Sequence, residues 1–303
     1  VYKMAVRKKK NNQNRGEGQK YAEMLRVRLG TRLPVYIPFR ITDELVEILR
    51  EFKEKASRMG IRQFVIQTHF VSSMEVSPDV REAVRKLNSA GWIVVNQMVY
   101  TAAASRRGFA AKLRSTLNRV GIIPYYTFSV KGYMENYNNF ATNERAIQEQ
   151  IEEKVFGSIP DEEQEAISNI ADEAEKTVQS LERIMKKHDL PFLSTDRNVM
   201  NLPGVGKSLT FRTIGITRRG RRILEFDHDA NRTHSPIINK MGKVNIIESK
   251  PIKHYIDQME KIGEDPDDYK DVWGYSIGET EARTSIFEYP GYCLLYTSDA
   301  ADE

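Results

Sequence analysis

Phe64-Val65-Ile66-Gln67-Thr68-His69 passes from apolar to polar in one short run, and Ile93-Val94-Val95-Asn96-Gln97 repeats the change further on. Between them Ser77-Pro78-Asp79 supplies a helix N-cap, a proline at the first helical position and an early acid, and Gly91 supplies the stop. Short apolar strands alternating with helices of about 10–15 residues specify βαβ units and a parallel sheet. Upstream, Leu25-Arg26-Val27-Arg28-Leu29-Gly30 reads as a strand closed by Thr31-Arg32. Thr42 then caps a helix in which Leu45, Ile48, Leu49 and Phe52 recur at helical spacing. Downstream, Arg106 to Val120 reads as a helix stopped by Gly121, and Ile122 to Val130 as the fourth strand.

Each strand starts apolar and ends polar or aromatic: Thr31 and Arg32; Gln67, Thr68 and His69; Asn96 and Gln97; Tyr125, Tyr126, Ser129 and Lys131. The carboxyl ends of parallel strands hold the active sites of such enzymes, so four converging tips predict a barrel mouth. A closed barrel of this kind takes eight strands and about 250 residues, so four units predict only part of one.

Composition narrows the function classes. The chain has 303 residues, 40% of them hydrophobic and 29% charged, ordinary for a soluble protein with a buried core. No apolar run reaches about 18 residues, which excludes a membrane-spanning helix. The start, Val1-Tyr2-Lys3-Met4, leads into a basic stretch with no apolar segment behind it, unlike a secretory signal, and a cytoplasmic location is expected. A lone cysteine, Cys293, excludes a disulfide scaffold or a cysteine-based metal site made by this chain alone. The net charge of +4 does not argue for nucleic acid.

Residues 1–24 read as a basic loop or insertion, with Arg7-Lys8-Lys9-Lys10 solvated. Residues 25–157 hold the partial barrel of four βα units. Residues 158–190 read as one inserted amphipathic helix, acidic at Asp161-Glu162-Glu163 and basic at Lys186-Lys187-His188, with an apolar stripe from Ile167 to Met185. Residues 191–292 form a glycine-loop region and a small α+β part. Residues 293–303 resemble a translated sequencing adapter and the chain begins at Val1 rather than Met, so the expectation is a fragment open at its N-terminus and falsely closed at its C-terminus.

Pro203-Gly204-Val205-Gly206-Lys207-Ser208 suggests a nucleotide-binding P-loop, but that motif needs a glycine six residues before the lysine and a helix after it. Asn201 holds the glycine position, and Leu209 to Ile216 then Ile223 to Phe226 read as a β-hairpin. A lysine on a tight glycine loop has another use, forming a Schiff base with an aldehyde cofactor. Asp227-His228-Asp229 and His234 suggest a metal, but loop residues of this kind are ordinarily solvated, and no metal ligand is assigned.

Arg28 to Val35, Arg40-Ile41-Thr42, Thr68-His69-Phe70, Ala90-Gly91 with Asn96-Gln97, Pro124-Tyr125-Tyr126 and Pro203 to Lys207 occur in one order. In that order they resemble the lysine 2,3-aminomutases, which join a radical S-adenosylmethionine (SAM) barrel to pyridoxal 5′-phosphate (PLP). The resemblance covers about residues 25–156 and 190–207. It implies the C-terminal part of a TIM-like radical SAM barrel, a PLP-binding loop, and a small α+β region after it. It makes Lys207 the PLP lysine, with Gly204 and Gly206 in a loop one residue shorter than the family's. It places His69 and Gln97 in the SAM site and Tyr126 facing the PLP–substrate adduct. The family's [4Fe–4S] cysteines match nothing in this chain.

In the lysine-specific enzymes two aspartates hold the substrate's side-chain ammonium. The matching positions are Lys131 and Asn201. A cation and an amide repel an ammonium but hold a carboxylate by a charge-assisted hydrogen bond, an exchange that resembles the glutamate 2,3-aminomutases. The expected activity is an α- to β-amino shift on an acidic amino acid such as glutamate. Competing readings are a non-catalytic relative that keeps the barrel, and the P-loop module. Expected partners are a small amino acid and a second copy of the chain, with no nucleic acid or membrane.

Overall fold

A computed structural model describes residues 1–130, 137–154, 157, 159–170, 173–194, 197–201, 208–209, 211–226, 244–248 and 250–276. The four expected strands are present: β1 (Arg26–Gly30), β2 (Gln63–Thr68), β3 (Ile93–Val99) and β4 (Ile122–Val130). They pair in parallel and in sequence order, Arg28 beside Val65, Gln67 beside Val95, and Val94 beside Ile122.

Local chemistry sets the helices between them. After α1 (Tyr2–Asn12) and the short α2 (Leu33–Tyr36), α3 (Asp43–Ser57) starts where the Thr42 hydroxyl accepts from the Leu45 N–H at 3.3 Å. The start of α4 (Pro78–Ser89) is capped alike, Ser77 accepting from Val80 N–H at 3.3 Å with Pro78 at the first position. Gly91 (φ +78°) and Gly121 (φ +83°) adopt the left-handed turn that ends α4 and α5 (Phe109–Arg119) and returns the chain to the sheet.

Alternation along the strands divides the core. Val27, Phe64, Ile66, Val94 and Ile122 face the helices, in one cluster with Val46, Leu49, Val80, Val84, Leu87, Leu113 and Leu117. Trp92 is fully buried there, its ring 5.4 Å from Phe64 and its indole N–H donating to Leu49 O at 3.1 Å. Burying each such side chain contributes about 1.5–3 kcal/mol. The other face, Val65, Ile93, Val95, Ile123 and Tyr125, clusters with Ile167, Ile170, Ala174, Leu181, Ile184 and Leu193.

Three parts of the sequence reading change. Residues 1–24 are not simply a loop: α1 forms because Ala5 reaches the core, while the Asn12 side chain closes the following loop onto Tyr21 N and O, both at 2.8 Å. The segment 158–190 is not one helix. Its described residues form separate shorter helices, and the backbone of Glu173 (φ −128°, ψ 55°) leaves the helical region between them. The sheet also gains strands. β5 (Arg197–Asn201) runs parallel to β4, and β6 (Ser208–Leu209) runs antiparallel to β5, giving the order β1-β2-β3-β4-β5-β6.

Between β4 and β5 the described helices are α6 (Asn143–Gln148), continued by a π-turn at Glu149–Glu153, then α7 (Gln164–Asn169) and α8 (Thr177–Lys187). The expected terminal charges of this region meet each other, Glu163 accepting from Lys187 and lying 3.0 Å from His188 Nε2. A second sheet, β7 (Phe211–Ile216), β8 (Arg222–Phe226) and β9 (Val244–Ile247), is antiparallel, and α9 (Ile252–Lys261) comes after it. The hairpin read from Leu209 to Phe226 is therefore present.

Helix α6 is wholly buried although Asn143, Glu144, Arg145 and Gln148 are charged or carry amides. The burial is tolerated because the charges are paired. Arg222 of β8 binds Glu144 and, at 3.2 Å, Glu248. Arg145 binds Glu153 and donates to Ser105 O at 2.9 Å, and Arg114 of α5 binds Glu149. Tyr255 of α9 completes the layer, its hydroxyl 2.7 Å from Ser105 Oγ. These ion pairs tie the loop after β3, the segment after β4 and the C-terminal elements together.

Candidate active site at the carboxyl edge of the sheet

The rim is built from alternation. Along β2 and β3 the residues facing away from the helices are Val65 and Gln67, then Ile93, Val95 and Gln97. A register shift between Asn96 and Gln97 skips Tyr125, so that Gln97 pairs with Tyr126. This bulge puts Tyr125 and Tyr126 into the same apolar cluster, their rings 4.0 Å apart, and such bulges recur beside functional sites. Phe128 lies next along the strand, 5.7 Å from Tyr126.

His69 comes directly after the last residue of β2. It is half-buried, its ring meets the Gln97 backbone, and its pKa is lowered by burial and then by the nearby Arg32 cation. His69 is therefore neutral near pH 7, with one nitrogen that donates and one that accepts. The sequence-derived trio His69, Gln97 and Tyr126 thus converges. Gln97 and Tyr126 are buried.

Two expected rim residues turn the other way. Thr68 and Asn96 are buried on the helix side of the strands. Asn96 brackets Phe70, accepting from its N–H at 2.6 Å and donating to its C=O at 3.0 Å. Its role is to fix the chain just beyond His69. Alternation places successive strand residues on opposite faces, so a polar tip two residues long cannot all line one rim.

Lys131, Gly204, Gly206 and Lys207 lie outside the described residues, as do Asp227 to Asp229 and His234. The strands that flank the first four are described. Val130 ends β4 and pairs with Asn201, and Asn201 also pairs with Ser208 of β6. In sequence, Lys131 comes directly after Val130 and Lys207 directly before Ser208. Among the described residues, Ser208 opens strand β6 and the chain then enters β7, so no helix N-terminus is offered to a phosphate as a P-loop requires.

The structure adds two residues that the sequence reading passed over. Arg26 and Arg28 lie opposite to Val27, on the face of Val65 and Tyr125, and Arg26 donates to Gln63 Oε1 at 2.7 Å. Burial lowers the Arg26 pKa, with Tyr125 opposing and Arg28 adding to the shift. The Arg26-Val27-Arg28 alternation was the available signal. Among the described residues no group of three or more His, Cys, Asp or Glu is arranged to hold a metal ion. No described helix is long and apolar enough to cross a membrane.

No protein-family model matches the chain. Relatives do. The chain is 32% identical over 254 residues to an uncharacterized KamA family protein of Methanocaldococcus jannaschii, a match covering 82% of this chain and 34% of that protein. It is 33% identical over 118 residues to a glutamate 2,3-aminomutase of Clostridioides difficile, covering 39% of this chain and 26% of the relative. With an L-lysine 2,3-aminomutase of Bacillus subtilis it shares 36% identity over 103 residues, 34% of this chain and 20% of the relative. The chain spans about a third or less of the length of these curated relatives. The chain, whose parallel sheet gathers His69, Gln97 and Tyr126 at its carboxyl edge, thus has KamA family homologues at modest identity, one of them similar across four-fifths of the chain.

Proposed function

We propose that the chain is part of a radical SAM, PLP-dependent 2,3-aminomutase, and that the complete protein shifts the α-amino group of an acidic amino acid such as glutamate to the β-carbon. The observation that carries this reading is the double pairing of Asn201, with Val130 on one side and Ser208 on the other. Asn201 thereby lies in the sheet that presents His69, Gln97 and Tyr126, and its two partners adjoin Lys131 and Lys207 in sequence.

The described residues suit a polar cofactor at the rim. A neutral His69 offers one donor and one acceptor, and Gln97 adds an amide, which fits the mixed polar surface of SAM. Lys207 would hold PLP. When bound, SAM with an iron–sulfur cluster supplies a hydrogen-abstracting radical, and PLP supplies a carrier for the migrating nitrogen. The protein's own task is positional. Tyr125, Tyr126 and Phe128 form an aromatic wall that keeps water from the reacting carbon. Asn96 holds the backbone at Phe70 and thereby the preceding His69.

For the substrate, Lys131 is the side-chain carboxylate clamp and Asn201 a hydrogen-bonding partner, where a lysine substrate would need acids. Turnover of glutamate against lysine by the complete protein tests the reading. Glutamate is expected to be preferred, and Lys131→Asp with Asn201→Asp to shift the preference toward lysine. Faster turnover of lysine by the unaltered protein would overturn the substrate assignment. Lack of any amino shift with either, in cofactor-loaded protein, would overturn the activity.

A further inference from the structure

We propose that Arg28 and Arg32 form a site over Gly30 for a doubly charged, phosphate-type oxyanion. Val27 faces the helical core, so Arg28 and Gly30 face the opposite side, opposite Val65 and Gln67. The pairing with β2 continues one residue past the strand, where Thr31 N–H donates to Gln67 O at 2.9 Å, and Arg32 comes next. Arg28 lies two residues before Gly30 on the strand, about 6.8 Å away, and Arg32, whose backbone has left the extended region (φ −95°, ψ 8°), follows two residues after it, so that long arginine side chains flank the glycine on both sides. At Gly30 an added Cβ would meet nothing within 4 Å, so the space over it is open.

Among the described residues, neither Arg28 nor Arg32 makes an ion pair, although several arginines of the helical layer do. Arg32 lies over the Tyr36 ring, 4.3 Å from its centroid, which orients the guanidinium without neutralising it. Arg26, a further cation on this face, is engaged with Gln63. On the rung opposite Gly30, the Gln67 Oε1 is buried without a hydrogen-bond partner. Two guanidinium forks and one unused acceptor suit an anion that carries two charges and a hydroxyl. A phosphate, at about −1.5 to −2 near pH 7, matches two arginines, and a single carboxylate does not.

The inference goes beyond the aminomutase reading and stands without it, because binding is measured with no turnover. Calorimetric titration of the chain with inorganic phosphate, with acetate as the monoanionic control, is the test. Saturable phosphate binding at least tenfold tighter than acetate is expected, weakened at least tenfold in Arg28→Gln and in Arg32→Gln. Arg28→Lys, which keeps the charge but loses the fork, falls between, and Arg50→Gln on exposed α3 changes nothing. Circular dichroism confirms that each variant is folded. Comparing PLP with pyridoxal identifies the source: a phosphate-dependent gain lost in both variants assigns a cofactor phosphate, and phosphate binding without that gain assigns a free phosphate or another ester. No phosphate binding, equal binding of acetate, or affinity unchanged in the folded variants would overturn the proposal.

Discussion

Replacing Asn96 by alanine removes the clamp on Phe70 and leaves a calculable deficit. Asn96 is 2% exposed and Phe70 fully buried, so water cannot replace the lost partners. Two hydrogen bonds go, the 2.6 Å acceptance from Phe70 N–H and the 3.0 Å donation to Phe70 C=O. Each buried group left unpaired costs about 1–3 kcal/mol, so the two together cost roughly 2–6 kcal/mol of stability. Asn96→Asp keeps the acceptor but sets a carboxylate against the carbonyl, so it recovers little. Urea unfolding of the chain, read by tryptophan fluorescence and circular dichroism, measures the change as a shift in midpoint at constant slope. A loss below about 1 kcal/mol in Asn96→Ala would refute the clamp, as would full recovery in Asn96→Asp.

Three further outcomes rest on the same geometry. Arg114→Met strands the buried Glu149 carboxylate and should cost about 3–5 kcal/mol, whereas Arg114→Met with Glu149→Leu should recover most of it, as urea midpoints of both variants will show. Thr42→Ala removes the cap of α3 and should cost about 1 kcal/mol by the same measurement, with Thr42→Ser restoring it. Because burial and Arg32 lower the His69 pKa, the unfolded chain takes up its proton first as pH falls. The stability that His69 confers is therefore complete above its ordinary value of about 6.5 and is lost as pH drops through the lower folded value. Midpoints at pH 7.5 and 5.5 should diverge less in His69→Gln than in the unaltered chain, and an equal divergence would contradict the shift.

The parallel sheet was legible because each strand carried its own punctuation: Thr42 and Ser77 capped helices, and Gly91 and Gly121 ended them. His69, Gln97 and Tyr126 were legible as strand tips. The fifth parallel strand was not, since Arg197-Asn198-Val199-Met200-Asn201 lacks an apolar run and gains its strand character from pairing with β4. The shared facing of Tyr125 and Tyr126 was hidden for a different reason. A one-residue bulge at Tyr125 lets both neighbours join one cluster against the rule of alternation, and nothing in local composition marks it. Helix α1 escaped notice because its apolar contact rests on the single residue Ala5 within a basic run. The buried ion pairs of α6 are likewise set by partners distant in sequence, Arg222 and Glu248.

The proposed activity depends on Lys207 as the cofactor lysine. Borohydride reduction of the complete protein with PLP, followed by peptide mass mapping, tests it most directly. The expected result is a reduced PLP adduct on Lys207 that disappears in Lys207→Ala. An adduct on another lysine, or equal labelling in Lys207→Ala, would contradict it.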